Sequence, residues 1–450
     1  MSSKTLLRIA FLSLIGVGVL TMPLTAEPGD GSVCVGRTVT PPVVDGSLAD
    51  ACWTRTLAIT PFVLQRQSAF AREQTTVRMT YDDTNLYVAF RCEQRCLNPV
   101  NNQLGAYKAE AREHDSDRIF KDDCVLVLLD TNSDGDSFYD LCVNGLGTVC
   151  DSACAGENPW GSRDKGWEFG GKATLTTGDG FWTVELAVPF ANLGGVPTPG
   201  TRWRICLGRI QQQDKETSAW GPMSTGFHNA AEFSDVVFGT RVPGTGDLSL
   251  GAFSAGENRL SVTVQPFEKP TPVRLEAITM RADAGKTVSF TDDALSAAET
   301  LGHDYTFDQE GRLRFQWSLL DPGSLAVYYR SPAYDIEVTV SRLSAELTGD
   351  GVFTAFLNGK PILAGRDGNA LGGGALVAGE NVIAIEADGG VEGRFSVGDF
   401  VVETDHTWTC SEKPEAGWQE REFSDSGWRK AKAKTGRMGA DGRKRCYRKT

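Results

Sequence analysis

The chain has 450 residues, with 58 acidic against 45 basic side chains and a formal net charge of −13. That length exceeds what one hydrophobic core organises and predicts about three domains. The acidity excludes the basic surface that nucleic-acid binding needs, and 50 glycines suit a turn-rich, all-β protein.

Residues 1–26 read as an export signal peptide. Lys4 and Arg8 make a basic start, Ile9 to Leu20 an apolar core, and Thr25-Ala26 a small-residue cleavage site, with the cut near Ala26. The rival reading is an uncleaved anchor, but the apolar run falls short of the ~20 residues that span a bilayer. No other segment could cross, so no stable membrane span is expected after cleavage. The expected location is secreted, periplasmic or cell-surface.

The next 200 or so residues carry short strands between turn clusters. Thr76 to Phe90 alternates Val77, Met79 and Tyr81 with polar neighbours, breaks at Asp82-Asp83-Thr84-Asn85, then resumes with Leu86-Tyr87-Val88-Ala89-Phe90. This predicts two strands and a tight turn. Cys124 to Leu129 is nearly all apolar and too short for a typical helix, so it predicts a strand buried on both faces. Phe138 to Val143 and Trp182 to Val188 follow the same pattern. Frequent turns between short strands predict a β-sandwich.

Five motifs here have a recognisable order: Val44-Asp45-Gly46 through Trp53, Thr76 to Phe90, Asp122-Asp123-Cys124-Val125-Leu126-Val127, Phe181 to Pro189, and Phe227-His228-Asn229-Ala230-Ala231-Glu232-Phe233. Together they resemble the family 9 carbohydrate-binding modules. The resemblance implies a sandwich over residues 27–240 and non-catalytic glycan binding. In that family two aromatic rings sandwich the sugar, and the matching positions hold Phe120 and Phe227, where the family usually has tryptophan. Two polar positions depart further: the family's sugar-bonding Glu corresponds to Leu126 and its Arg to Cys142. Asn144, His228 and Asn229 remain as hydrogen-bonding candidates. Trp160 and Trp167, in the Gly- and charge-rich stretch Gly156 to Gly171, are candidate stacking platforms, as is Trp220. Trp53 and Trp182 sit in framework motifs and are expected in the core.

Asp130-Thr131-Asn132-Ser133-Asp134-Gly135-Asp136 places oxygens at alternate positions with Gly at the bend, like the start of a calcium loop. Asp140 could close it, although Leu141 stands where a bidentate Glu would be. Calcium is therefore one candidate cofactor, and an ordinary Asp/Asn hairpin turn is the other reading.

Eleven cysteines in an exported chain suggest disulfides. Cys124 and Cys142 flank the turn centred on Ser133 and are expected opposite each other in a hairpin, as a bridge or as packed thiols. Cys92 with Cys96 and Cys150 with Cys154 could each close a loop, and the four could instead hold zinc.

Thr240 to Gly246 reads as a linker. Residues 247–332, with Leu260 to Val264, Leu313 to Trp317 and Ala326 to Arg330, suit an immunoglobulin-like sandwich. From residue 333 to 450 the strand into Asn358-Gly359, the turn Gly379-Glu380-Asn381 and the Trp418 and Trp428 stretches resemble the galactose-binding-like jelly rolls attached to many glycoside hydrolases. The basic tail, Arg429 to Lys449, reads as the solvated end of a β domain, and Cys446-Tyr447-Arg448-Lys449 either tucks in as a last strand or opens a lost domain.

The chain is thus read as an exported, multidomain, all-β glycan-binding protein that is accessory to polysaccharide breakdown or active at the cell surface. Three alternatives stand beside it. One is a structural surface scaffold with a decayed sugar site. Another is a haem-binding sandwich with axial ligands among Met79, Met223, His114 and His228. The third is a fragment of a larger glycoside hydrolase. No paired catalytic carboxylates can be picked from the sequence.

Overall fold

The structure is a computed structural model describing residues 18–22, 31–67, 69–94, 108–156, 158–282, 284–307, 310–338, 342–376, 381–397, 400–420, 423–434, 437–439 and 444–449. Most of the expected leader lies outside these residues. The fold is almost entirely β, as the strand-and-turn pattern predicts. No helix among the described residues is long and apolar enough to cross a membrane.

The chain forms two compact units. The first takes in residues up to Ser249, Arg259–His303 and Arg312–Ile336. Its frame is β1 (Ser32–Arg37), β2 (Thr75–Tyr81), β3 (Asn85–Glu93), β4 (Cys124–Asp130), β5 (Phe138–Asn144), β6 (Val149–Cys154), β7 (Lys172–Gly178), β8 (Phe181–Pro189), β9 (Arg202–Gln211) and β10 (Ser234–Gly239). One layer runs β6–β5–β4–β9–β10 and the other β7–β8–β3–β2. β1 joins them: it pairs in parallel with β10 over its length and then with β2 at Gly36 and Arg37.

The predicted β2–β3 hairpin is present, with Tyr81 opposite Leu86. Asp82 closes its turn by accepting the N–H of Thr84 at 2.7 Å and of Asn85 at 2.8 Å, the local bonding that suits Asp to turns. The first framework motif has an equally local cause. Glu185 on β8 is fully buried and accepts the N–H groups of Asp45 and Gly46 and the indole N–H of Trp53, at 3.0, 2.8 and 2.8 Å. Burial pushes this carboxyl upward, and the three donors pull it part of the way back. Gly46 has φ +88°, and a Cβ there would lie 2.6 Å from the Leu175 carbonyl carbon, so the tight approach requires glycine. Trp53 and Trp182 are both core residues, as their motifs predict.

The two layers are tied by Arg209 on β9. Its buried guanidinium donates to the carbonyls of Glu73, Gln74 and Glu93, to Thr75 Oγ1 and to Gln94 Oε1. All of these acceptors are uncharged. Beyond the frame come β11 (Thr271–Arg281), β12 (Gly285–Leu295), β13 (Gly311–Leu320) and β14 (Val327–Arg330). β11 pairs with β12 and β13, β13 with β14, and β14 reaches β1 at Ser32 and Val33. Strands expected in a middle sandwich therefore hydrogen-bond into the first unit's sheet. Thr245, in the expected linker, is buried and accepts the Ala58 N–H through its hydroxyl.

The second unit comprises Leu250–Asn258, Asp304–Gly311 and the residues from Glu337 onward. Its centre is β15 (Arg342–Leu357), flanked by β16 (Lys360–Ala375), β17 (Ile383–Asp388) and β18 (Val391–Val397). The Asn358-Gly359 dipeptide turns β15 into β16 with φ +49° and +81°, the double positive φ for which that dipeptide is selected. Its core holds Leu347, Phe353, Ile385, Phe395 and Trp408. The chain's last described strand, β19 (Lys444–Lys449), pairs with β17 and with Thr409–Ser411, so this stretch does tuck in. Several charges of the basic tail are ion-paired: Arg437 with Asp350 and Glu392, Lys444 with Glu386, Arg445 with Glu412, and Arg448 with Asp425.

Candidate functional site

Leu126 and Cys142, the positions that the resemblance matches to sugar-bonding groups, lie on the outer face of the β6–β5–β4–β9 layer. Side chains alternate across a strand, and the outward row reads Cys124, Leu126, Leu128 on β4, Phe138, Cys142 on β5, Cys150, Cys154 on β6 and Cys206 on β9. These residues are buried beneath Ile119, Met223, Phe227, Ala230 and Phe233 from the loops. Leu126 and Cys142 lie directly opposite each other in the register. Where the family would set a Glu and an Arg, this chain has two apolar groups in contact with a closed cluster.

Several expected site residues belong to that cluster's packing. Phe227 is only 6% exposed, and its ring fills the space over Gly208, where a Cβ would meet it at 2.4 Å. Trp220 is buried and donates its indole N–H to Tyr329 Oη at 3.0 Å, which makes it a core residue rather than a platform. Asn144 is fully buried. It donates to Ala111 O and Asp122 Oδ2 and accepts from the Leu146 and Thr148 N–H groups, all at 2.9–3.0 Å, so it holds a turn. Asn229 precedes the short 3-10 turn Ala230–Glu232 and accepts the Glu232 N–H through its carbonyl.

The remaining candidates meet at the margin. Trp160 is 40% exposed. Phe120 stands edge-on to it with centroids 5.0 Å apart, and His228 likewise at 4.6 Å. The Arg163 guanidinium lies 3.5 Å over the Trp160 ring, and its Nε donates to the Trp160 carbonyl. His228 Nε2 lies 2.8 Å from Asp140 Oδ2 on β5. The structure thus brings Phe120, Trp160 and His228 into one group. It adds Arg163, which sequence reasoning missed although its place three residues after an exposed Trp permits a cation–π contact. Trp167 stands apart: it stacks on Tyr139 at 4.7 Å and 28°, and its N–H bonds Asn192 O. Beside it is a shallow cleft of about 320 Å³ lined by Asn132, Ser137, Tyr139, Ala153, Ser162 and Asp164.

In the Asp130–Asp136 loop the carboxylates serve the turn. Asp134 Oδ1 accepts the Asp136 and Ser137 N–H groups, and these bonds, led by that of Ser137, hold its carboxyl at about 2. Asn132 donates to Asp134, Asp130 Oδ2 accepts the Gly135 N–H, and Asp140 is engaged with His228. Of the haem-ligand candidates, Met79 is buried on β2 in one layer, and Met223 covers the outer face of the other.

The cysteine expectations need correction. Each of the ten described cysteines is an unbridged thiol, and Cys96 lies outside the described residues. Cys124 faces Asn144, not Cys142, because the hairpin is centred on Asp134 rather than Ser133. Cys142 instead faces Cys150. Cys92 lies on β3 in the opposite layer from Cys150 and Cys154, so these three do not form one zinc site. Burial pushes the thiols up, to about 11 at Cys92 and Cys154 and about 12 at Cys150.

Comparison with known proteins finds a likeness for part of this unit. Residues 44–237 match the family model described as carbohydrate family 9 binding domain-like. Within the longer β chain, this segment is thus similar to that family's domains. Among solved structures, the chain is similar to a carbohydrate-binding module family 9 from Caldicellulosiruptor kristjanssonii in complex with cellotriose. The identity is 16% over 47% of this chain and 95% of that one, with a TM-score of 0.33. It is also similar to a putative carbohydrate-binding protein from Bacteroides uniformis, at 15% identity over 46% of this chain and all of that one, with a TM-score of 0.37. No curated protein matches.

Proposed function

We propose that the chain is an exported, non-catalytic glycan-binding protein, accessory to polysaccharide breakdown or acting at the cell surface, and that it binds sugar at the loop margin rather than on the inherited face. The match of residues 44–237 to the family model carries the glycan reading. The open Trp160, ringed by Phe120, His228 and Arg163, carries the choice of place. Sugar recognition needs an apolar ring to stack on a pyranose and polar groups to bond its hydroxyls, and this group offers both.

The test is a glycan-array and polysaccharide-pulldown screen of the full chain, with Trp160→Ala and His228→Ala beside it. The expected result is binding that weakens about tenfold in Trp160→Ala, the loss of roughly 1.4 kcal/mol of stacking. Binding untouched by either change would refute the place, and no glycan binding at all would refute the reading. A second reading, a surface scaffold whose sugar site has decayed, is favoured by the closed contact of Leu126 and Cys142, and an empty screen would select it.

A further inference from the structure

We propose that His114, Asp151 and Glu168 form a binding site for a divalent transition-metal cation of the zinc type. The three come from different segments: His114 from the loop before the 3-10 turn Asp117–Lys121, Asp151 from β6, and Glu168 from the loop that carries Trp160 and Trp167. His114 Nε2 lies 3.3 Å from Asp151 Oδ1 and 3.7 Å from Glu168 Oε2, and all three atoms fall within 4.8 Å of one another. Ligands about 2.1 Å from a tetrahedral zinc stand about 3.4 Å apart. The two separations from His114 Nε2 lie close to that value, and His114 and Glu168 are exposed, so a fourth position can face solvent.

A second observation points into the same space. The Asp151 side chain is wholly buried, and its Oδ2 accepts the Phe169 N–H at 2.6 Å. Its Oδ1 accepts no hydrogen bond and faces His114 Nε2. A buried carboxylate oxygen without a donor is costly, and a cation between the three groups would satisfy it.

The other side of the imidazole is also prepared. Asp115 Oδ2 lies 3.2 Å from His114 Nδ1, and Asp115 is itself fixed by the Asp151 N–H, which donates to its Oδ1 at 3.1 Å. A carboxylate on Nδ1 holds the proton there and leaves Nε2 as the ligand, the arrangement that orients metal-bound histidine. One imidazole and two carboxylates suit zinc or a neighbouring first-row metal, whereas calcium takes six to eight oxygens. The nearby Lys165 is occupied, donating to Asp115 O and Asp117 Oδ1. A bound cation would pin the Trp160 loop to β6 and to the segment before the 3-10 turn.

This site is independent of glycan binding. The test is titration of the full chain with Zn²⁺ by calorimetry, and with Co²⁺ by visible absorbance. The expected result is one metal bound per chain, d–d bands of a nitrogen- and oxygen-ligated Co²⁺, and affinity reduced at least about tenfold in His114→Ala, Glu168→Gln and, through Nδ1, Asp115→Asn. Both His114 and Glu168 are exposed, so their variants keep the fold, which near-ultraviolet circular dichroism would verify. No binding, a thiolate charge-transfer band, or binding unchanged by His114→Ala and Glu168→Gln would overturn the assignment.

Discussion

The β6–β5–β4–β9 layer has two faces, and both are closed to water by different means. The inner face, Val125, Val127, Leu129, Leu141, Val143, Ile205 and Leu207, is aliphatic and buried, and Arg209 from the same row reaches the acceptors around β2 and β3. The outer face is buried as deeply but built from Leu126, Leu128 and five cysteines, and its cover is loops. A strand buried on both faces reads as a continuous apolar run, as Cys124 to Leu129 does. The comparison teaches that the sheet face holding Leu126 and Cys142 is here a second core, closed by loop residues rather than by another sheet.

The largest test of that comparison is Arg209→Ala, expected to cost about 3–5 kcal/mol in denaturant unfolding. It strips the donor from five neutral acceptors, two of them in buried and three in partly buried bonds, and empties the space of a buried side chain. Next is a matched pair across the sheet: Leu126→Ala on the outer face and Leu207→Ala on the inner should each cost about 2–5 kcal/mol. A cost below about 1 kcal/mol at Leu126 alone would reopen the outer face as a ligand surface.

The cysteines sharpen the contrast kinetically. Thiol alkylation needs the thiolate, and burial holds Cys150 at about 12 and Cys154 at about 11. In the native chain near neutral pH the outer-face thiols should react with iodoacetamide far more slowly than in the unfolded chain, as mass spectrometry would count. The smallest effect lies in the turn. Asp134 is held at about 2, well below its unfolded value near 3.9. A depressed carboxylate contributes stability above the unfolded value and loses it as pH falls toward the folded one. Asp134→Ala should therefore destabilise slightly at neutral pH, and its difference from the parent should vanish between about pH 4 and pH 2.

The framework was legible in the sequence because its causes are local. The Asp82 turn, the Asn358-Gly359 turn and the Val44-Asp45-Gly46 motif each bond within a few residues or to one strand partner. The site was legible only in part. Phe120, Trp160 and His228 do converge, but Phe227, Trp220 and Asn144 are structural, and nothing in their own residue types announces that. The proposed metal site was invisible because His114, Asp151 and Glu168 are brought together by sheet register and loop path, which spacing along the chain does not encode. The Cys124–Cys142 expectation failed by one residue in the turn centre, enough to put Asn144 opposite Cys124.

β1 also sets a timetable. It lies near the start of the chain, yet its partners are β2, β10 and, through Ser32 and Val33, β14. A nascent chain that has exposed Ser32–Arg37 must keep that strand's edge unsatisfied until residues 234–239 have been made, and longer still until Tyr329 follows. Pairings so distant in sequence are slow to close and leave an open edge meanwhile. Synthesis arrested anywhere before β10 should therefore yield an N-terminal piece that sticks to chaperones or to itself rather than a folded module.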